Sequence, residues 1–123
     1  MKEKHSFNIL DRIKSIRYAV SGIGAFFRRE HNAWLHAIAT VAVVVLAVIY
    51  PVTVMEGCVL IIVTGLIWFA EIFNTAIERM MDLLHPSHHP EAGRIKDLSA
   101  GAVLVLAVVA CCTGLIIFIP KIC

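Results

Sequence analysis

Apolar and polar positions along this chain fall into long blocks. Residues 33–50 read AWLHAIATVAVVVLAVIY, without Asp, Glu, Lys or Arg, and stop at Pro51. A second apolar run begins at Gly57 as GCVLIIVTGLIWFA and continues straight into EIFNTAIERMMD, so one helix is predicted over residues 57–82. A third, SAGAVLVLAVVACCTGLIIFI, covers residues 99–119 and stops at Pro120. A hydrocarbon core of about 30 Å is crossed by roughly 20 helical residues, and each run is long enough. In lipid every backbone N–H and C=O must be satisfied within the segment, which makes all three helices. Ahead of them, Ile9, Ile13, Ile16, Val20, Ile23 and Phe27 recur in steps of three and four, with Arg12, Lys14 and Arg17 on other faces. That pattern predicts an amphipathic helix over about residues 7–28, lying in the membrane interface.

Composition removes the soluble alternative. Hydrophobic residues make up 59% of the 123 and charged residues only 16%, which leaves too little polar surface to cover three buried helices. The predicted fold is therefore an all-α integral membrane protein, with three transmembrane helices after an interfacial one, in a single domain over residues 1–123. The opening MKEKHSFNILDRIKSIRYAV mixes charges with apolar residues and does not read as a cleavable signal. Lys2, Lys4, Arg12, Lys14, Arg17, Arg28 and Arg29 precede the first span, and Arg79, Arg94 and Lys96 lie between the second and third. The connection PVTVME has no basic residue and the tail has only Lys121, so the positive-inside rule predicts a cytoplasmic N-terminus and second connection. The net charge of +2 reports this orientation, and nothing in it points to nucleic acid. Cys58, Cys111, Cys112 and Cys123 lack metal-ligand spacing. Cys111 and Cys112 read as small packing residues, and Cys58 and Cys123 are expected near the outer face, where a disulfide is conceivable.

The charges that end the second run carry the chemistry. At 100° per residue, Glu71, Asn74, Thr75, Glu78 and Asp82 fall within a sector roughly 100° wide and form one stripe. Counted from Gly57, Glu71 stands about 21 Å along the helix and Glu78 about 31 Å, which puts Glu71 inside the boundary and Glu78 at or beyond it. A carboxylate at that depth is costly and marks function more often than structure. Glu30, Lys96 and Asp97 are expected at the same boundary, whereas the opposite one has only Glu56. Carboxylates with oxygens to spare suit Mg²⁺ that also bridges phosphates, and a lysine places a point charge on phosphate. The set suits phosphoryl transfer between a reagent dissolved in lipid and one dissolved in water. There is no GxxxxGK[ST] and no HRD or DFG set, so neither large soluble kinase class applies. An ion-conducting subunit or a non-catalytic assembly factor is the rival reading. Both fit poorly, because the carboxylates gather at one interface and do not continue through the bilayer midplane.

These residues resemble the small bacterial integral-membrane lipid kinases, the diacylglycerol kinase and undecaprenol kinase family. The pattern E-x-x-N-[ST]-A-I-E-x-x-x-D is present as Glu71, Asn74, Thr75, Ala76, Ile77, Glu78 and Asp82, followed by Gly93-Arg94-Ile95-Lys96-Asp97 and Ser99-Ala100-Gly101-Ala102-Val103. Arg12, Tyr18 and Glu30 also fall in place, so the resemblance covers nearly the whole chain. It implies that Glu71 is the general base toward the lipid hydroxyl and that Glu30 and Glu78 hold the Mg²⁺ accompanying ATP. It implies that Asn74, Lys96 and Asp97 orient the nucleotide, with Arg12 and Tyr18 from the surface helix and His88 in a loop that touches nucleotide. It further implies a homotrimer with shared sites in the bacterial cytoplasmic membrane, which small residues Ala107, Cys111 and Gly114 on the third helix are compatible with. His85-Pro86 looks more like the undecaprenol kinase branch and Gly93-Arg94 more like the diacylglycerol kinase branch. Diacylglycerol is expected ahead of undecaprenol as acceptor.

Overall fold

A computed structural model describes residues 6–123, and within it the chain forms four helices: α1 (Ile9–Arg29), α2 (His31–Ile49), α3 (Val54–Leu84) and α4 (Pro90–Ile122). Lys2 and Lys4, counted above for orientation, lie outside the described residues. The last three helices are long and apolar enough to cross a membrane. An all-helical architecture, with one helix leading three that are long and apolar enough to span, is thus the observed fold.

Local chemistry sets the boundaries. The side chain of Asn8 accepts the Leu10 N–H at 3.0 Å and starts α1, and Arg28 and Arg29 occupy its last turn, where the helix dipole favours cations. One extended residue, Glu30, separates α1 from α2 and makes no side-chain cap. Tyr50 is extended at the end of α2, as the residue before a proline must be. Thr53 and Glu56 then form a capping box at the start of α3, with Thr53 Oγ1 accepting the Glu56 N–H at 3.2 Å and Glu56 Oε2 accepting the Thr53 N–H at 2.8 Å. Pro90 opens α4 in its first turn, where its missing N–H costs nothing.

Two expectations about ends need correction. The helix that holds the run at residues 99–119 is longer than that run: it begins at Pro90, so GRIKDLSA is helical. Pro120 does not stop it either, since α4 continues to Ile122. Lacking an N–H, Pro120 leaves the Ile116 carbonyl without its helical partner, a cost confined to one bond near the end of the helix. Cys58 and Cys123 are both free, and Cys111 and Cys112, read as packing residues, are exposed on α4.

α3 and α4 pair closely along their length, while α1 and α2 touch them more sparingly. Far from the polar stripe, Leu60, Ile117 and Phe118 are buried against Val43, Leu46, Ala47, Tyr50 and Val52. Lys121 Nζ meets Glu56 Oε2 at 3.0 Å and ties the end of α4 to the start of α3. Lipid is as apolar as these side chains, so shape fit and such polar links hold the helices together more than hydrophobic transfer does. Toward the stripe, Phe26 and Phe27 of α1 pack on Trp68 of α3, with centroids 6.4 and 5.3 Å apart. The rest of the α1 apolar face, including Ile9, Ile13, Ile16, Val20 and Ile23, is exposed in the single chain, as a face meant for lipid or a neighbour should be.

Thr53→Ala removes the acceptor for the Glu56 N–H and should lower stability by about 1 kcal/mol in mixed-micelle unfolding. Thr53→Ser should be neutral, and an equal loss in both variants would dismiss the cap.

Candidate active site

The stripe on α3 runs from buried to exposed as it leaves the apolar segment. Glu71 and Thr75 are buried, Asn74 and Glu78 are half-buried, and Asp82 is exposed. Its members do not all face the same neighbour. Glu71, 5% exposed, turns to α2, where His36 Nε2 lies 2.6 Å from its Oε1. Asn74 turns to α4: its amide donates to Glu78 at 3.1 Å, and its Oδ1 lies 2.6 Å from the Ser99 hydroxyl. Asp82 pairs with Lys96 of α4. Between these turns, Arg79 approaches Glu30 at 3.6 Å, and its buried Nη2 makes no hydrogen bond.

A second layer holds His36. Thr40 Oγ1 donates to the His36 carbonyl one turn away at 2.7 Å and accepts the Trp68 indole N–H at 3.0 Å. The imidazole and indole rings meet edge to face, 6.2 Å apart at 66°. Trp68 is thus fixed from α1 by phenylalanines and from α2 by Thr40.

Several cavities flank this arrangement, one of them a pocket of about 530 Å³ between α2 and α3 that Thr40, Gly65 and Trp68 help to line. An apolar groove of about 530 Å³ lies between α2, α3 and α4, with His36, Thr40 and Trp68 toward its polar end and Phe118 and Ile122 toward the other. Cys111 and Gly114 of α4 line it, so those small residues face the space beside α2 within the chain. A smaller cleft of about 180 Å³ at the α3–α4 turn is lined by Asp82, His85, His88, His89, Gly93 and Lys96 among others. The rings of His85 and His89 pack 4.4 Å apart beside it.

Of the residues singled out from sequence, Asn74 and Glu78 are linked through Ser99 to Lys96 of α4, while Glu71 meets His36 of α2 and Glu30 meets Arg79 in separate contacts. His88 is at the neighbouring cleft, and Asp97 is exposed on α4. Arg12 and Tyr18 are not brought to this group. Both are exposed on α1, with the Arg12 guanidinium 5.6 Å over the Phe7 ring. Arg12 stands about 26 Å from the end of α1 that meets the bundle.

Sequence reasoning passed over His36, Arg79 and Ser99. The signal for His36 was present, a lone titratable side chain within an apolar span. Nothing in the periodicity of α2 said that it would meet position 71, because that depends on how two helices pack.

Comparison with known proteins agrees with this layout. Residues 17–118 match the family described as prokaryotic diacylglycerol kinase. The chain is 39% identical over 122 residues to an undecaprenol kinase of Bacillus subtilis, covering 98% of this chain and 99% of that one. It is 34% identical to a diacylglycerol kinase of Synechocystis over 86% of this chain and 61% of the relative. With a diacylglycerol kinase of Escherichia coli it shares 31% over 85% and 86% of the two chains. The four helices, the carboxylate stripe and these relatives together make the chain a membrane lipid kinase that belongs to the prokaryotic diacylglycerol kinase family.

Proposed function

We propose that the chain transfers the γ-phosphate of ATP to the hydroxyl of a membrane lipid alcohol, with undecaprenol as the favoured acceptor in place of the diacylglycerol expected from sequence. The observation that carries the reaction is the depth of Glu71. It is the buried carboxylate of the stripe, while Asp82, Lys96 and His88 meet water two to three turns further out. A lipid hydroxyl reaches the first, and a nucleotide reaches the others.

In the proposed step the lipid oxygen bonds to the γ-phosphorus as the bond from that phosphorus to the β,γ-bridging oxygen breaks and ADP departs. The hydroxyl proton passes to Glu71. Asn74 and Lys96 position the phosphates, and Arg79 offers the unbonded Nη2 to a phosphate oxygen. His88 and Asp97 complete the nucleotide side. Glu30 and Glu78 suit Mg²⁺: both are hard oxygen donors, and neither is used as a helix cap. Among the described residues no group of three His, Cys, Asp or Glu gathers, so the remaining positions fall to water and phosphate, which is how Mg²⁺ usually binds. Bound there, Mg²⁺ supplies neutralisation of charge on the transferring phosphate.

Two considerations favour undecaprenol. The relative that aligns end to end with the chain bears that name. At the polar end of the groove, the Thr40 hydroxyl and the Trp68 indole are also already committed to each other and to the His36 carbonyl. Diacylglycerol would bring two ester carbonyls needing partners, whereas a polyprenol brings only its hydroxyl. The basic residues at the polar end support a cytoplasmic location for the site. The separation of Arg12 and Tyr18 from Glu71 within one chain supports a homotrimer in which α1 of one protomer serves the site of another.

Purified protein with labelled ATP, offered undecaprenol and diacylglycerol in parallel, should phosphorylate undecaprenol faster. Equal or greater turnover of diacylglycerol would reverse the acceptor assignment. Glu71→Gln should remain folded and lose about 10²–10⁴-fold in kcat; near-normal turnover would remove it as the base. If sites are shared, co-assembling Arg12→Ala with Glu71→Gln protomers should restore about a quarter of parental turnover, the share expected from random mixing in a symmetric oligomer. Failure to restore any would place each site within one chain.

A further inference from the structure

His36 contacts the proposed base and belongs to none of the roles assigned so far. We propose that it is a positioning residue: its Nε2–H donates to Glu71 Oε1, holds the carboxylate in one orientation and leaves Oε2 for the lipid hydroxyl. The inference rests on the reading of Glu71 as the base and deepens it.

The contact is short, at 2.6 Å, and it links residues 35 apart in sequence on two different helices. Because the partner is a carboxylate, Nε2 is the protonated nitrogen and the donor. Glu71 has little other polar company: its side chain is only 6% exposed, against 23% for His36. A carboxylate free to rotate in that setting would seldom present an oxygen to an alcohol at the right angle. One oxygen held and one left open is the arrangement that proton abstraction needs.

The histidine is itself held. Its carbonyl accepts from Thr40, Thr40 accepts from Trp68, and the Trp68 ring lies against the imidazole. Phe26 and Phe27 brace Trp68 from α1. The imidazole is thus flanked on α3 by Glu71 and by the edge of a Trp68 ring that is itself held in place. His36 also lines the apolar groove at its polar end, which puts the pair where a lipid chain lying in the groove would bring its hydroxyl. In the step, the proton leaves the lipid oxygen for Glu71 Oε2, and His36 keeps its own. What it contributes is a hydrogen bond and a direction.

A purely structural role would be to satisfy a buried carboxylate, and kinetics distinguishes the two. The test uses the full chain in lipid bilayers with ATP and both acceptors, comparing His36→Leu, His36→Gln and Glu71→Gln. Positioning predicts that His36→Leu lowers kcat about 10- to 100-fold with the KM for ATP unchanged. His36→Gln, which still offers an N–H, should return to within about threefold of the parent. The ¹⁵N-detected Nε2–H signal of His36 should shift in Glu71→Gln.

Full turnover in a folded His36→Leu protein would overturn the proposal. So would a folded His36→Gln as impaired as His36→Leu, since ring packing alone would then explain the loss. If His36→Leu does not fold, His36→Gln decides by the same threefold criterion. An active Glu71→Gln removes the base and this inference together. An inactive Glu71→Gln beside an active His36→Leu removes this inference alone.

Discussion

Taking a carboxylate out of water costs several kcal/mol unless a well-placed partner compensates, and the polar end of this protein is arranged around compensating one. Glu71 is held by His36, His36 by the Thr40–Trp68 pair, and Trp68 by the end of α1. The first two links join α2 to α3, and the last joins α3 to α1. In a bilayer, where apolar surfaces gain little by leaving lipid for one another, such polar links specify how α1, α2 and α3 sit. One buried carboxylate thus sits where these contacts converge.

Helix length is the second constraint. α3 has 31 residues and is about 46 Å long, well beyond a hydrocarbon slab of about 30 Å. The excess is what lets one continuous helix carry a buried Glu71 and an exposed Asp82 on a single stripe. The 33 residues of α4 extend beside it, so Lys96 and Ser99 meet the stripe from a rigid neighbour instead of a loop. The relatives named as lipid kinases span this same region of the chain.

Much of this was legible in the sequence because lipid simplifies the code. Three charge-free runs in a chain this apolar can only be spans, and α1 declared itself by period. The stripe was legible for a related reason: charges appended to an apolar helix are costly, so their spacing carries information. What stayed hidden was pairing between helices. His36 and Glu71 lie 35 positions apart, and no local pattern couples them. Pro120 misled because a proline removes one helical hydrogen bond without always ending the helix, and α4 runs two residues past it. The helical start of α4 was missed because GRIKDLSA reads as a polar connection until it is seen packed along α3.

The groove between α2 and α4 is open along its side, with walls of valine, leucine, isoleucine and alanine over most of its length. On the reading proposed above, an acceptor would diffuse in sideways from the surrounding leaflet and need never pass through water. Supply would then depend on the mole fraction of that alcohol among its neighbouring lipids. Diluting the membrane with inert lipid would slow the enzyme even when the total amount of acceptor in the vessel is unchanged.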